Sequence, residues 1–151
     1  MDDRPTVTAI HIAPATRLPM RAVASAEAEA GKGLVGDRYH GTRHRHVTVQ
    51  AQGALDAAAA DFGAPITPAS TRRNVTISGS EVPTAVGARL RIGDVELEVV
   101  RRVAPCKLLD DTIGRGAKDA LTRRAGSVFR VLTSGRIAVG DPVDLGSHGP
   151  D

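Results

Sequence analysis

Cys106 is the only cysteine in the chain. It follows Pro105 and precedes Lys107, with Arg101 and Arg102 just upstream. Nearby cations favour the thiolate, the form that attacks electrophiles and binds soft metals. A lone cysteine is equally at home as a small buried hydrophobe, and the residues alone leave both readings open. No histidine stands beside it, so a Cys–His nucleophilic pair cannot be read from the sequence. A single thiol also excludes an internal disulfide and a four-cysteine zinc site.

Thr71-Arg72-Arg73-Asn74 is the second group with chemistry in it. In an extended chain the two arginines point to opposite faces, so one can enter a pocket while the other stays in solvent. Arginine forks take phosphates and carboxylates at two points. Asn74 both donates and accepts, which suits a heterocycle edge. The same residues also fit the solvated start of a strand.

Gly31-Lys32-Gly33-Leu34-Val35-Gly36 spells G-x-G-x-x-G. A dinucleotide fingerprint needs a buried strand before it and a helix after it. Residues 24–30 are too polar for the strand, and 37–41 do not open a helix. Asp37 stands where a nucleotide-hydrolase loop would carry lysine. Two readings stay open: a flexible loop, or one whose N–H groups approach an anion. His40, His44 and His46 form H-x3-H-x-H, but no carboxylate at a telling spacing completes a metal set. They read as hydrogen-bonded or exposed histidines.

The elements that must position these groups are mostly strands. Residues 7–12, 47–49, 74–77, 89–92, 95–99, 128–132, 136–139 and 143–145 are strand-like. The clearest is 95–99, where Val95, Leu97 and Val99 alternate with Glu96 and Glu98. Residues 24–30 permit strand or helix, and 31–41 read as loop. An alanine-rich helix is predicted over 51–62, stopped by Gly63 with Pro65 beyond, and a shorter one over 117–125. Short strands with glycine turns and one or two helices predict a mainly β chain, a closed or nearly closed barrel.

The chain has 151 residues, 41% hydrophobic and 25% charged, which fits one globular domain and excludes wholesale disorder. We expect that domain over 1–146, with a flexible tail over 147–151. The acidic start, Met1-Asp2-Asp3-Arg4-Pro5, leads into no apolar stretch, so neither a secretory signal nor a membrane partner is expected, and the chain reads as cytoplasmic. Net charge is only +3, and nearly all the cations are arginine, since Lys32, Lys107 and Lys118 are the only lysines. So small an excess suits a local anion pocket better than nucleic-acid coating. At 2% aromatics, base stacking on the arginine-rich face is also disfavoured.

Taken in order, several stretches resemble the MOSC family, named after the C-terminal domain of molybdenum cofactor sulfurase. They are Gly33-Leu34-Val35-Gly36-Asp37-Arg38, Val47-Thr48-Val49 with Ala54-Leu55-Asp56, Arg72-Arg73-Asn74-Val75-Thr76-Ile77-Ser78-Gly79, Val86-Gly87-Ala88-Arg89-Leu90-Arg91-Ile92-Gly93, Ala104-Pro105-Cys106, and residues 135–143. The resemblance implies a MOSC-type barrel and, in the relatives that are enzymes, a bound molybdenum cofactor (molybdopterin). It puts Cys106 at the position of the family's molybdenum-ligating cysteine, with Lys107 beside it. It implies that Arg72 or Arg73 clamps the cofactor phosphate and that Asn74 meets the pterin. Arg38 and the loop of Gly33 and Gly36 would lie over the same site. It also admits pyridoxal phosphate as a ligand. The activity implied is reduction of a small N-hydroxylated substrate, with electrons from an external electron-transfer protein. The alternative is a sulfur carrier, with a persulfide on Cys106 loaded by a sulfur donor.

Overall fold

The computed structural model describes residues 4–105 and 108–146. The expected tail over 147–151, and Cys106 and Lys107, lie outside the described residues. Strand β1 spans Val7–Ile12, β2 Arg21–Val23, β3 Ser25–Glu29 and β4 Gly33–Leu34. Then come β5 (Val47–Ala51), helix α1 (Gln52–Phe62), a 3-10 turn (Pro68–Thr71) and β6 (Val75–Ile77). The second half holds β7 (Arg89–Ile92), β8 (Val95–Arg102), α2 (Leu108–Thr112) and α3 (Ala117–Ala120). Strands β9 (Ser127–Val131), β10 (Gly135–Ala138) and β11 (Val143–Asp144) complete it.

Eight strands form one sheet in the order β11-β7-β8-β9-β5-β6-β1-β2. The sheet curls until its β11 edge reaches the chain entering β1. There Thr6 bridges Pro142, and Val7 and Val143 donate to Asp141 O (3.0 Å) and Pro5 O (2.8 Å). The result is the nearly closed barrel the strand pattern predicts, with β10, β3 and β4 as a small second sheet. Curling covers the β11 edge, which would otherwise be open to other chains.

The barrel interior is apolar. Val47 and Val49 of β5, Val75 and Ile77 of β6, Leu97 of β8 and Phe129 of β9 are all buried in one cluster. Period-two alternation puts Thr48, Gln50, Asn74 and Thr76 on the opposite face of β5 and β6. These are buried too. A helical layer built on Leu55, Ala58, Ile66, Leu109 and Leu121 packs beyond them. Every β5 residue is therefore buried, although Thr48 and Gln50 are polar.

Polar groups in such a layer must find partners inside the protein. Thr71 Oγ1 donates to Gln50 Oε1 (2.8 Å), and Gln50 Nε2 donates to Thr76 Oγ1 (2.9 Å). Asn74 N donates to Thr48 Oγ1 (2.9 Å), while Asn74 Oδ1 accepts from Thr48 N (3.0 Å) and Oγ1 (3.2 Å). Asn74 Nδ2 reaches β1 at His11 O (3.1 Å). The layer thus ties three strands together where β5 and β6 run parallel.

The helix expected over 51–62 forms over Gln52–Phe62 and ends at Gly63, whose φ of 89° suits glycine and whose N–H caps onto Ala59 O. Its partner expected over 117–125 is shorter, at Ala117–Ala120. Among the described residues there are three α-helices where one or two were expected. α2 is five residues long, too short for a helical period to register. Two further strands were not foreseen: β2, and β4, which turns part of the glycine loop into a paired strand.

Gly126 shows how closely this layer approaches the barrel. Its φ is 86°, and a Cβ there would overlap the Val49 carbonyl oxygen of β5. We therefore expect Gly126→Ala to destabilise the fold by more than about 2 kcal/mol, from backbone strain and overlap together. Gly140, also at positive φ but with nothing within 4 Å, should cost less when changed to alanine. Urea unfolding of the two variants checks this, and equal midpoints would contradict it.

Candidate functional site

Arg72 ends the 3-10 turn in a left-handed conformation, φ 63°. Left-handed backbone is costly for a residue with a side chain. The next two residues explain why the chain accepts it: Arg73 is buried and Asn74 is held by Thr48 and His11. Among the described residues the Arg72 guanidinium makes no hydrogen bond or ion pair. Partial burial and the neighbouring Arg38 cation, in that order, push its pKa below the ordinary guanidinium value, while Tyr39 and Asp37 pull the other way. A cation in that position gains from a bound anion.

Arg38 is held in place from several sides. Its Nη1 donates to Asp37 Oδ1 (3.1 Å) and to Met20 Sδ (3.3 Å), and its Nη2 donates to Arg72 O (3.2 Å). Asp37 is fixed in turn, since Oδ1 accepts from Ala13 N (3.1 Å) and Oδ2 from Tyr39 N (3.3 Å). The side chains of both Arg38 and Asp37 are almost wholly buried. The Tyr39 ring lies between two guanidinium groups, with Arg38 Cζ 4.5 Å and Arg45 Cζ 4.3 Å from its centroid. The structure thus gathers Arg38, Arg72, Arg73 and Asn74 around the ends of β1 and β6.

Asn74 lies at this point but its carbonyl oxygen and one amide hydrogen are engaged by the protein. It frames the group from behind. Gly33 is buried in β4, where a Cβ would come 3.1 Å from His46 O, so its role is close approach of two backbones. Gly36 is exposed at φ 89°. The loop's N–H groups at Gly31, Lys32, Val35 and Asp37 donate to Val131, Glu29, Glu27 and Leu34. Those donors serve the hairpin.

The histidines do not converge. His40 Nε2 lies 2.6 Å from Glu29 Oε1. His46 Nε2 lies 2.8 Å from Thr42 O, and its Nδ1 accepts from Val131 N (3.0 Å). Among the described residues no group of three or more His, Cys, Asp or Glu side chains is placed to hold a metal ion. His11 is the residue the sequence reading missed. It is buried, and among the described residues its Nδ1 has no hydrogen-bond partner. Its signal was faint: a polar residue between Ile10 and Ile12 reads as a solvent-facing strand position. Asp37 was nearer to view, since it stands inside the Gly36-Asp37-Arg38 stretch.

Cys106 falls in the connection between β8 and α2. The helix that follows it, α2, packs against the 3-10 turn that leads into Arg72. Leu109 of α2 shares a buried cluster with Ile66, just before that turn.

The family model of the MOSC domain matches residues 36–144. The chain belongs to the MOSC domain family. This is a family associated with the molybdenum cofactor. No curated protein matches the chain. Among solved structures it is similar to the YuaD protein from Bacillus subtilis, with a TM-score of 0.79 at 19% identity over 92% of this chain and 94% of that one. It is also similar to YiiM from Geobacillus stearothermophilus (TM-score 0.72, 18% identity, 93% of this chain and 74% of that one). YiiM from Escherichia coli gives a TM-score of 0.68 at 18% identity, over 97% of this chain and 72% of that one. At these identities the likeness is one of fold. Among the described residues of this MOSC domain, no helix is long and apolar enough to cross a membrane.

Two histidines make the stability of this MOSC domain depend on pH. Burial lowers the pKa of His11, and burial is the largest of several causes that lower that of His46. The folded state thus binds fewer protons than the unfolded one. The stabilisation is complete above the unfolded histidine pKa of about 6.5 and is lost as pH falls through it. The urea midpoint should fall between about pH 7.5 and pH 5.5, above the range where carboxylates titrate. His46→Gln should flatten that dependence. A midpoint that holds or rises on acidification would contradict the assignment.

Proposed function

We propose that the chain binds the molybdenum cofactor, with Cys106 as the protein ligand to the metal, and reduces N-hydroxylated compounds. One observation supports this reading above the others: α2, the element after Cys106 in the sequence, packs against the 3-10 turn before Arg72.

The residues present fit the cofactor at its anionic end. A terminal phosphate needs cations not already neutralised by carboxylates. Arg72 meets that need, and Arg38 beside it is pre-oriented by Asp37, Met20 and the Arg72 carbonyl. The buried His11 Nδ1 is a polar atom awaiting a partner in the same region. Arg72 and Arg38 would hold the phosphate, with Arg73 behind them and Lys107 following the thiol. Asn74, buried with its amide engaged by Thr48 and His11, would keep this edge of β6 at a fixed distance from β1 and β5.

When bound, the group supplies two-electron oxygen-atom chemistry at a metal, for which a thiolate is a well-matched soft ligand. Overall, N–OH gains two electrons and two protons and becomes N–H and water. The electrons come from a separate electron-transfer protein. The chain's own contribution is to bind the anionic cofactor and fix the thiol. Its barrel provides the rigid support such a site needs.

The test compares wild type with Cys106→Ser, each expressed in a host that makes the cofactor. Wild type should retain molybdenum and reduce a hydroxylamine with a chemical donor. Cys106→Ser should lose at least about tenfold in both, the scale seen when a metal's protein support is removed. Equal values in the two would overturn the proposal. So would wild-type chain that carries no molybdenum but gains one sulfur on Cys106, the result expected of a sulfur carrier.

A further inference from the structure

The tripeptide Thr71-Arg72-Arg73 recurs as Thr122-Arg123-Arg124. The recurrence extends to the backbone. Arg72 and Arg123 share a φ of 63°, and the only other non-glycine residue at positive φ among those described is Arg17. A left-handed arginine is strained wherever it stands, and strain of this kind concentrates at sites that use it.

Arg123 and Arg124 line a cavity of about 250 Å³, with Arg102 as the third cation. It is separate from the Arg38–Arg72 group. Asn74 and Arg72 precede β6, whereas Ser80 and Glu81, which also line the cavity, follow it at the other end. Arg124 is anchored through Nη1 to Asp61 Oδ2 (2.7 Å), Ala120 O (3.1 Å) and Ala57 O (3.4 Å). Among the described residues, Arg102 and Arg123 form no hydrogen bond or ion pair through their side chains, and Glu81 pairs with none of the three. The cavity also takes in Ala51 and Ala54 at the start of α1, a helix end that no side chain caps. Its positive dipole end adds to the field of the arginines.

Two unneutralised guanidinium groups and an anchored third around one small cavity repel one another until an anion enters. One anchored fork and two unengaged ones favour a group that accepts at several points, which is phosphate rather than chloride. We propose that this cavity binds the phosphoryl group of a small phosphorylated molecule. At about 250 Å³ there is room for that group and a short organic remainder. Glu81 is the acceptor available to a hydroxyl or amine on that remainder.

The probe is inorganic phosphate, added at ionic strength held constant with potassium chloride, and the readout is the thermal midpoint. Wild type should show a saturable rise, since a ligand bound only by the folded state stabilises it. Because Arg72 is itself proposed to hold a phosphate, the measurement is repeated in Arg72→Ala, where a saturable rise from this second cavity should remain. It should weaken at least about tenfold in apparent affinity in the double variant Arg102→Ala, Arg123→Gly. Both of those arginines are exposed, and glycine accepts the φ of residue 123, so the double variant should fold. No rise in wild type, a rise unchanged in the double variant, or a rise abolished by Arg72→Ala would each overturn the proposal.

Discussion

The structure turns on a bracket of hydrogen bonds between Asn74 and Thr48. These two residues lie at the starts of neighbouring parallel strands, β6 and β5, and exchange three bonds: the Asn74 N–H donates to the Thr48 hydroxyl, and the Asn74 side-chain Oδ1 accepts from the Thr48 N–H and hydroxyl. A fourth bond, from Asn74 Nδ2 to His11 O, brings in β1. All of this is buried, between an apolar barrel interior and a helical layer. A polar group left unpaired there would cost about 1–3 kcal/mol, so the arrangement is satisfied as a set or not at all. Once Asn74 is fixed, Arg73 and Arg72 have little freedom. The left-handed backbone of Arg72 is the junction between a 3-10 turn packed under the helices and a strand bracketed by Thr48.

The same polar layer explains what the sequence concealed. Strands β7 and β8 are legible because their apolar residues recur at period two and polar neighbours face outward. In β5 the alternation of Val47, Thr48, Val49 and Gln50 has the same form but a different cause. Its polar face is covered by helices, with Thr71 satisfying Gln50 from another element. A one-dimensional pattern cannot distinguish a polar face in water from one facing buried partners. His11 was missed for that reason. The helix α2 was missed because five residues carry too little periodicity, and β4 because Gly33 is glycine for the sake of His46, a residue thirteen positions away. The histidines are hydrogen-bonded or exposed, as H-x3-H-x-H without a completing carboxylate reads: Glu29 and the backbone take up His40 and His46, and His44 is exposed.

The candidate site was legible as residue types in order, not as geometry. Family membership follows from residues 36–144, and of the arginines quoted for the resemblance Arg38 and Arg72 meet, through the Arg72 carbonyl, while Arg89 and Arg91 lie on β7. What sequence spacing did not convey is how Arg38 is oriented. Asp37 anchors it from the adjacent position, Met20 lends a sulfur, and Arg72 contributes a backbone oxygen. Two like charges are thus kept close by the chain between them, the usual condition of a site prepared for an anion.

Whether Cys106 ligates molybdenum is best read at the metal itself. X-ray absorption at the molybdenum edge counts the sulfur neighbours of the bound metal, in wild type and in Cys106→Ser reconstituted with the same cofactor. The expected result is one sulfur neighbour fewer in the variant. An identical sulfur count in the two proteins would contradict the central claim, because the metal would then take all its sulfur from the cofactor.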